Sequence, residues 1–515
     1  MSIHLIYSKI INLHLFFIVN LTEICSMRNE PKERSLDPQD WEAMRQLGHR
    51  MVDDMMDYLQ GIGDQPAWRP IPEEVVEGFR KPLPQLPQDA SSVYEDFVRQ
   101  VLPYNCNNVH PRFWAWVQGT GTPFGMLADM LASGMNPNVA IGDHAALYVE
   151  RQVLDWSKEI FGFPATASGI LLSGGSIANI TALLVARHSF NRQIKQKGLG
   201  AVKGQLIVYG SVETHNCVGK AVEVIGVGSE NFRKVPVDEG YRIRKDALLQ
   251  MIREDRAAGH LPFCLVGNAG TVNTGAVDDL AGLAEIAKEE GLWFHVDGAF
   301  GSVPKICPEY GDLLKGLEEA DSLSFDFHKW FYVNYEVACV LIKDAAAHRE
   351  AFASSVNYLL AHERGLSGGP DPFGNYGMEL SRGFKALKVW MLLKEHGIQE
   401  YAQQVRQNLA QCQYLGELVK KSPELELLTE VSLNIVCYRY NPGGLSGEEL
   451  NKLNKEILMQ LHERGIAAPS YTILEGRYAI RVANTNYRSK KEDFDALADA
   501  SLRIGRQLAA QPVHN

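Results

Sequence analysis

The feature that most constrains the fold is an alternation of strand-like and helix-like segments that begins near Ser168. The apolar strand-like runs are GILLSGG, QLIVYGS, FCLVGNAG, LWFHVDGAFG, ADSLSFDFHKW and VACVLIKD. Buried strands separated by helices predict an α/β domain with a mostly parallel sheet. Ligands of such sheets bind beyond the carboxyl ends of the strands. The polar residues and glycines that end these runs are therefore the candidate functional residues.

The remaining chain divides into an N-terminal arm and a C-terminal segment. A helix is expected from Asp37 through Tyr58, and six prolines between Gly61 and Pro87 predict an extended connector that cannot hold a long helix. After Glu395, the helical stretches QEYAQQVRQNLAQCQYLGELVKK and EELNKLNKEILMQLHERG accompany the strand-like runs ELLTE, NIVCYRY and RYAIRVAN. We predict a helical segment with a proline-rich arm over 27–109, a large domain over 110–395 and a small α+β domain over 396–515.

The first 26 residues differ in character from the rest. Their apolar stretch, Ile10–Leu21, is too short and too interrupted by polar residues for a membrane-spanning helix, and no clear cleavage site follows it. Met27 opens a plausible cytosolic start. We interpret residues 1–26 as a doubtful extension from a start codon placed too far upstream, with a targeting segment or an added helix as alternatives.

Composition excludes several classes of function. The chain has 51 Lys and Arg against 62 Asp and Glu, a net charge of −11, and no basic block, which disfavours nucleic acid and anionic membranes as partners. Its eight cysteines are scattered, with no Cys-x-x-Cys pair, and this pattern fits a reducing, cytoplasmic location. No paired metal-ligand spacing is present, so we expect no metal site.

Two glycine- and histidine-bearing turns follow predicted strands. Ser173-Gly174-Gly175-Ser176 comes immediately before a helix, where free N–H groups and the helix dipole can bind an anion. His215, in SVETHNC, follows the strand QLIVYG. Each has a structural explanation when taken alone, since glycine-rich turns and single histidines are common in proteins without a ligand.

Two charged residues end later strands. Asp297 closes LWFHVDG, and a carboxylate there is costly unless it meets a cation or a protonated ring nitrogen. Lys329, in SFDFHKWF, is expected to have a lowered ammonium pKa, which would free its amine for a Schiff base. An anion site, a histidine that can stack on a ring, an aspartate and a lysine are what pyridoxal phosphate (PLP) requires.

The ordered motifs HPRFWAWV, SGGSIAN, ETHNC, NAGTVNTGAVDDL, HVDGAFG, HKW and LSRGFKALKVW resemble those of group II PLP-dependent amino-acid decarboxylases. The resemblance runs from about Leu36 almost to the C-terminus. It implies fold type I, as in aspartate aminotransferase, and an obligate homodimer whose active sites lie at the subunit interface. The proline-rich arm would then embrace the partner.

The resemblance also assigns roles to individual residues. Lys329 resembles the lysine that binds the cofactor aldehyde, and Asp297 resembles the partner of the pyridine nitrogen. His215 and Ala299 resemble the residues on the two faces of the ring. The remaining matches are Gly175, Ser176 and His328 as phosphate contacts, Thr271 as a contact near the ring, and Arg481 as a ligand of the substrate carboxylate.

The residue that protonates the product carbon is where the sequence departs from the family. Relatives place a tyrosine on a mobile loop before the LSRGF motif, and counting back from Arg382 puts Phe373 at that place, with Tyr376 three residues later. If Tyr376 is the acid, the product is an amine, which is the reading we favour. If Phe373 replaces the acid, oxygen can intercept the intermediate, as in the similar aromatic acetaldehyde synthases.

Substrate identity is less constrained. Phe113, Trp114 and Trp116 could wall an aromatic side chain, although at least two of them are expected in the core. Asn138 is more typical of the glutamate enzymes, so a glutamate or diaminobutyrate decarboxylase stays an alternative. Asp326 is an unexplained anion near the expected phosphate. An aminotransferase is disfavoured by the HPRF and LSRGF motifs, and a catalytically silent homologue by the presence of Lys329 and Asp297.

Overall fold

The computed structural model describes residues 34–353 and 364–510. The helices are α1 (Trp41–Gln60), α2 (Glu73–Gly78), α3 (Ala90–Gln100), α4 (Pro123–Met135), α5 (Ala145–Phe161), α6 (Gly175–Phe190), α7 (Ile194–Lys197), α8 (Asn216–Val224), α9 (Lys245–Ala257), α10 (Leu280–Glu289), α11 (Ala345–Phe352), α12 (Ala386–Lys421), α13 (Gly447–Glu463) and α14 (Lys491–Ala509). The strands are β1 (Phe113–Trp114), β2 (Ser168–Leu172), β3 (Leu206–Ser211), β4 (Phe232–Val235), β5 (Leu261–Asn268), β6 (Trp293–Asp297), β7 (Ser322–Asp326), β8 (Ala338–Ile342), β9 (Leu425–Leu427), β10 (Ile435–Tyr440), β11 (Ala468–Leu474) and β12 (Arg477–Ala483).

The chain forms two compact units, residues 1–57 and 58–515. Helix α1 makes up most of the described part of the first unit. It begins at Trp41, later than the expected start at Asp37, because the Asp40 side chain accepts hydrogen bonds from the backbone N–H groups of Glu42 and Ala43. The first 26 residues, including Cys25, lie outside the described residues.

A seven-stranded sheet organises the second unit. Its strand order is β2-β8-β7-β6-β5-β3-β4, and β8 runs antiparallel to both of its neighbours while the other pairs are parallel. The prediction of a mostly parallel α/β sheet is therefore confirmed. Strands β3, β7 and β8 are buried along their whole length, because helices such as α6 cover the sheet.

A smaller sheet of five strands follows the order β1-β11-β12-β10-β9. Phe113 and Trp114 form β1 and pair in parallel with Ala468 and Pro469. The smaller sheet thus takes its first strand from the stretch that we assigned to the large domain. Trp114 is 1% exposed and its ring stacks on Phe494 of α14 at 4.7 Å between centroids. The buried contact between these two aromatic rings packs β1 against the C-terminal helix α14.

Helix α12 joins the two cores. Gly397 interrupts it with non-helical dihedral angles (φ 71°, ψ 156°), close to the expected boundary at Glu395. Residues before and just after this break, such as Leu392 and Val405, pack in the core of the large sheet, whereas Leu415 and Val419 pack in the core of the small one. A glycine tolerates this left-handed backbone, which a side chain would strain.

The proline-rich connector contains only a short 3-10 turn, Ile62–Asp64, and the six-residue helix α2. This agrees with the expectation that it holds no long helix. Among the described residues, no helix is both long and apolar enough to cross a membrane. The same residues contain no cluster of three or more His, Cys, Asp or Glu side chains that could hold a metal ion.

Candidate active site

One cavity of about 570 Å³ lies beyond the carboxyl ends of the central strands. Strands β3, β5, β6 and β7 point toward it, and Ser470, Tyr471 and Arg481 of the smaller sheet close it from the other side. The predicted residues that line it are Trp116, Gly175, Ser176, His215, Thr271, Asp297, Ala299, His328, Lys329 and Arg481. The topology thus brings together side chains that are far apart in the sequence.

Asp297 is the last residue of β6 and is 6% exposed. Its Oδ1 accepts a hydrogen bond from the Ala299 backbone N–H at 3.2 Å, and its Oδ2 accepts one from Asn179 Nδ2 at 3.3 Å. The Cys217 thiol lies 3.9 Å from the same Oδ2. No cation contacts Asp297 directly among these partners, so the carboxylate can interact with a positive group that enters the cavity.

A buried polar network supports this carboxylate. Asn179, on α6, accepts a hydrogen bond from His295 Nε2 at 2.7 Å and also donates to the Gly175 carbonyl at 2.8 Å. His295 is fully buried, and burial lowers its pKa to about 4. Sequence reasoning missed both residues. The signal was a histidine two residues before Asp297 on the same face of a buried strand.

The start of α6 forms the expected anion site. Gly174 is the extended N-cap residue, and α6 begins at Gly175, so the first N–H groups of the helix face the cavity without intrahelical acceptors. A Cβ atom at Gly175 would lie 3.0 Å from Asp326 Oδ2. The missing side chain is therefore needed for the close approach of α6 to the end of β7.

A second close approach involves a glycine that the sequence analysis did not single out. Gly119 donates a backbone hydrogen bond to the His328 carbonyl at 3.2 Å. A Cβ atom at Gly119 would clash with the carbonyl oxygens of His328 and Lys329. The signal in the sequence was the glycine pair of QGTGTP.

His215 is the N-cap residue of α8. Its Nδ1 accepts a hydrogen bond from the Cys217 backbone N–H at 3.2 Å, which assigns the ring proton of the neutral form to Nε2. Burial lowers the pKa of His215, against the opposing effect of Asp297. A neutral imidazole held in this way can lie flat against an aromatic ligand.

The Lys329 ammonium forms an ion pair with Asp326, whose Oδ2 lies 2.7 Å from Nζ. Burial opposes the charged amine, but the Asp326 and Asp297 carboxylates outweigh it, and the pKa of Lys329 is raised. The expectation of a lowered pKa was therefore wrong. The reason is Asp326, the residue without an explanation at the level of sequence.

Thr271 and His328 also reach the cavity. The Thr271 hydroxyl accepts a hydrogen bond from the Ala276 backbone N–H at 3.1 Å, which orders the turn after β5. His328 Nδ1 accepts one from the Val337 backbone N–H at 3.1 Å, and its ring lies 4.3 Å from that of Tyr335. Burial lowers the pKa of His328.

Arg481 reaches the cavity from β12. Its Nε donates to the Asn273 carbonyl at 3.2 Å, and its Nη1 donates to the Trp116 carbonyl at 2.8 Å and to Ser470 Oγ at 3.1 Å. Nη2 is buried and has no hydrogen-bond partner. Burial lowers the pKa of Arg481 to about 10. The guanidinium therefore has one unused donor group for a ligand.

The aromatic residues of HPRFWAWV divide, as expected, into two core residues and one residue at the cavity. Phe113 and Trp114 are buried in the core, 4% and 1% exposed. Trp116 is 58% exposed and lines the cavity, with a left-handed backbone (φ 52°). Only Trp116 of the three can contact a ligand.

Three predicted site residues do not line this cavity. Asn138 is bonded through its amide to the Leu380 carbonyl and to the Arg382 N–H. Phe373 is 2% exposed and lies between the guanidinium groups of Arg151 and Arg382, with centroid distances of 5.2 and 4.9 Å.

The third of them, Tyr376, is held by two contacts. Its hydroxyl donates to Asp371 Oδ2 at 2.9 Å, and its carbonyl contacts His348 Nε2 at 2.8 Å. Burial and Asp371 raise the pKa of Tyr376 to about 12. The roles of Asn138, Phe373 and Tyr376 stay predictions.

Comparison with known proteins gives consistent matches. The model of the pyridoxal-dependent decarboxylase conserved domain matches residues 72–441. An aromatic-L-amino-acid decarboxylase of Bacillus atrophaeus is 35% identical over 458 residues, which cover 88% of this chain and 93% of that protein. A phenylacetaldehyde synthase of Arabidopsis thaliana is 30% identical and covers 87% of this chain and 93% of its own length.

The same relationship is seen in solved structures. Tryptophan decarboxylase of Catharanthus roseus, in complex with L-tryptophan, superposes with a TM-score of 0.81 and 26% identity, covering 92% of this chain and 100% of that chain. The fold is thus that of fold type I PLP enzymes.

The residues of the cavity fit PLP. An amine at Lys329 suits its aldehyde, a carboxylate at Asp297 suits its ring nitrogen, and the start of α6 suits its phosphate. The unused Arg481 Nη2 leaves a donor for a carboxylate substrate. Because the family model alone covers more than half of the sequence, the chain belongs to the pyridoxal-dependent decarboxylase family and its cofactor is PLP.

Proposed function

We propose that this enzyme decarboxylates an aromatic L-amino acid to the corresponding amine and CO₂. The observation that carries the proposal is the convergence of Lys329, Asp297 and Arg481 on one strand-end cavity. The name of the Bacillus relative, an aromatic-L-amino-acid decarboxylase, supports the aromatic substrate class. The exposed Trp116 at the cavity supports it too, because its indole offers a flat apolar surface to an aromatic side chain.

Each predicted cofactor ligand has a proposed task. Lys329 would bind the aldehyde, Asp297 would keep the ring nitrogen protonated, and His215 and Ala299 would contact the two faces of the ring. Gly175, Ser176 and His328 hold the phosphate, and Thr271 lies near the ring. When bound, the cofactor accepts the electron pair of the breaking Cα–carboxylate bond.

Arg481 orients the substrate in this proposal. Its unpartnered Nη2 is the donor available to the substrate carboxylate, while its other bonds fix the plane of the guanidinium group. A single donor holds the carboxylate in place without the bidentate pairing that would strongly stabilise it against departure as CO₂. Trp116, whose carbonyl accepts from the same guanidinium, lines the same cavity.

The proposed reaction also needs an acid that protonates Cα of the product. Phe373 has no proton to deliver, and the hydroxyl of Tyr376, the predicted acid, donates to Asp371 and does not line the cavity. Two proton-bearing groups that line the cavity are the Lys329 ammonium and the Tyr335 hydroxyl. We propose that one of these groups, or a residue from a second chain, delivers the proton.

Oxidative conversion to an aldehyde is the second candidate function. The 30% identity to a phenylacetaldehyde synthase favours it, and so would a Phe373 that truly replaced the acid. The burial of Phe373 weakens this second argument, since a residue packed against Arg151 and Arg382 has a structural role. A glutamate or diaminobutyrate substrate rests on Asn138 alone.

Product analysis distinguishes decarboxylation to an amine from oxidative conversion to an aldehyde, and it identifies the substrate class. The PLP-loaded enzyme is incubated in air with L-aromatic amino acids, Glu, Asp, His and diaminobutyrate, and CO₂, amine, aldehyde and peroxide are quantified. Amine equal to CO₂ from an aromatic substrate supports the proposal, aldehyde with peroxide supports the second candidate, and absence of CO₂ from every substrate overturns both. The variant K329A is the inactive control.

Four variants then locate the acid. Y335F, Y376F and F373Y change described residues. Y358F changes a tyrosine between α11 and α12 that lies outside the described residues. Among the three Tyr-to-Phe variants, the one that turns amine production into aldehyde production identifies the proton donor, because it has lost the acid. F373Y adds a hydroxyl and is the reverse test, since it should raise the amine yield only if position 373 can deliver a proton.

We also propose that the enzyme is a cytoplasmic homodimer with active sites at its interface. Several large apolar side chains are exposed in a single chain, including Phe79, Leu83 and Leu86 of the arm and Met135 of α4. Burial of such side chains against a second copy would remove apolar surface from water.

A further inference from the structure

Asp326 is the most deeply buried acid of the cavity, and the proposed reaction does not use it. It ends β7 and is 1% exposed. Its closest titratable neighbours are Lys329 Nζ, 2.7 Å from Oδ2, and His328 Nε2, 4.0 Å from the same atom. Apart from the ion pair with Lys329, neither carboxylate oxygen has a hydrogen-bond partner among the described residues. The carboxylate therefore depends on Lys329 for compensation of its charge.

The position of Asp326 is fixed from two sides. Its backbone N–H donates to the Ala299 carbonyl at 3.0 Å, and Gly175 of α6 lies close enough to leave no room for a Cβ atom. Lys329 is three residues later, and its backbone N–H donates to the Asp326 carbonyl at 3.4 Å. The carboxylate and the amine are thus held together by the local backbone, without a contribution from a mobile element.

We propose that Asp326 is a positioning residue that holds the Lys329 ammonium whenever Lys329 is not bonded to the cofactor. This covers the enzyme before it captures PLP and the stage at which the substrate amine has displaced Lys329. The inference rests on the proposed function only for that second stage. It gives a role to the acid that the sequence left unexplained.

The effect of Asp326 on Lys329 can be measured through the reaction of Lys329 with PLP. The Lys329 ammonium must first lose a proton to solvent. The lone pair of the neutral amine then attacks the aldehyde carbon, a C–N bond forms, and the aldehyde oxygen leaves as water. Asp326 stabilises the charged amine and so slows capture at neutral pH. After displacement by substrate, the same carboxylate keeps the released amine protonated, in place and available as a proton donor.

Other titratable groups around the pair do not contact Lys329 Nζ as closely. They come from the start of α8, the end of β6, the segment after β7, and strands β11 and β12 of the smaller sheet. They are His215, Cys217, Asp297, His328, Tyr335, Glu336, Tyr471 and Arg481. Asp297 and Cys217 also raise the pKa of Lys329, but less than Asp326 does. Glu336 is paired with Lys385 at 3.3 Å. Removal of the Asp326 charge should therefore change the pKa of Lys329 more than removal of any other of these groups.

The test measures the pKa of Lys329 directly in the full-length enzyme after removal of PLP. Trace acetic anhydride competes for amines at a series of pH values, and mass spectrometry quantifies acetylation of the Lys329 peptide. Wild type is compared with D326N, which keeps the shape and removes the charge. D321N is the matched control, because Asp321 binds the Phe294 N–H near the opposite end of β7 and has no contact with Lys329.

We expect the pKa of Lys329 to fall by about one unit or more in D326N, which is a tenfold change in the amine fraction, and to stay unchanged in D321N. The rate of PLP capture at neutral pH, followed by absorbance, should rise by about the same factor in D326N. An unchanged Lys329 pKa overturns the proposal.

If D326N does not fold, the wild-type value decides, since a Lys329 pKa below the ordinary value of about 10.4 contradicts the ion pair. None of these measurements requires turnover. A failure of the proposed decarboxylation would therefore be seen separately, as absence of CO₂ with the Lys329 result unchanged.

Discussion

At the scale of single residues, Asp297 is the side chain on which the chemistry depends most. It is 6% exposed, and its neighbours Asn179, Ala299 and Cys217 are uncharged donors that orient it without neutralising it. A carboxylate held in this way stabilises positive charge on a ring nitrogen that approaches it. The surrounding protein is already organised before the charge develops.

We expect D297N to lower kcat for decarboxylation by about 10²-fold or more, the range found when one preorganised electrostatic group is removed. Cofactor binding through Lys329 should persist, because the substitution is nearly isosteric. Steady-state kinetics and the PLP content of the purified variant check this together. A D297N enzyme with full cofactor and kcat near that of wild type would rule out this role for Asp297.

A second prediction at this scale concerns Arg481. Lysine at this position keeps a positive charge but cannot donate to Trp116, Ser470 and Asn273 while also presenting a free group. We expect R481K to raise KM by about tenfold or more, with an unchanged PLP content. A KM equal to that of wild type would show that the substrate carboxylate binds elsewhere.

At the scale of elements, the LSRGF motif has a structural function. Arg382, 5% exposed, forms a buried ion pair with Glu150 of α5 and donates to the carbonyls of Val139 and Leu171. One side chain thereby connects the segment before α12 with α5, with the end of β2 and with the turn that carries Asn138. The motif was useful for recognition of the family, and its physical basis is this junction.

We expect R382M to lower the free energy of unfolding by about 3–5 kcal/mol, because it leaves the buried Glu150 carboxylate without a charged partner, with only the Leu171 backbone N–H bonded to it. The double variant E150M/R382M should recover part of the loss, since it removes both charges. The control R406M breaks the exposed Arg406–Glu309 pair and should lower the free energy of unfolding much less, because solvent screens an exposed pair. Urea unfolding measures all three, and an R382M loss as small as that of R406M would contradict the prediction.

The elements that the sequence predicted best are those with a long, unambiguous pattern. Apolar runs identified six strands of the large sheet, and the boundary expected after Glu395 lies close to the break at Gly397 in α12. Strands β1 and β4 are short, and β11 (APSYTIL) mixes buried and exposed positions, so none had a clear signal. Pairing partners such as β1 with β11 depend on tertiary contacts that no local pattern carries.

The residues of the functional site also divide into those that the sequence could predict and those that it could not. Residues at or just beyond the ends of buried strands, such as Asp297 and Lys329, were predictable because parallel strands present their carboxyl ends at one edge. The effect of Asp326 on Lys329 was not, since the sign of a pKa shift depends on the balance between burial and neighbouring charge. Phe373 and Tyr376 were selected by counting along a loop, and a count contains no information about where a loop packs.

At the scale of the whole molecule, acid sensitivity follows from buried histidines. His110, His295 and His348 are fully buried, and burial lowers the pKa of each to about 4. The unfolded chain binds protons at these residues below its ordinary pKa of about 6.5, whereas the folded protein does not. The stabilising effect is therefore present above about pH 6.5 and is lost as the pH falls toward 4.

We expect each of these histidines to contribute about 1.4 kcal/mol per pH unit to the loss of stability within that window. H348Q should reduce the slope by one such contribution, because glutamine does not titrate and can still donate to the Tyr376 carbonyl. Urea unfolding of wild type and H348Q at several pH values measures the slopes. Identical slopes would show that His348 is protonated in the folded protein.

The assembly of two chains is the last expectation at this scale. Leu83 and Leu86 of the arm are 79% and 80% exposed, which is unfavourable for a pair of leucines in an isolated chain. If they pack against a second copy, each contributes about 1.5–3 kcal/mol by burial. The variant L83D/L86D should then weaken association by about 10²-fold or more and shift the species in sedimentation equilibrium toward the 57.4 kDa monomer.

The control for the arm variant is Q85D, which adds charge between the two leucines without removing apolar surface. It should leave the dimer intact, apart from a small dependence on salt. The melting temperature of the diluted monomer should be the same in wild type and L83D/L86D, because exposed side chains contribute little to the fold of a single chain. If L83D/L86D dimerises as tightly as wild type, the arm does not form the interface, and the exposed apolar residues of α4 become the surface to change next.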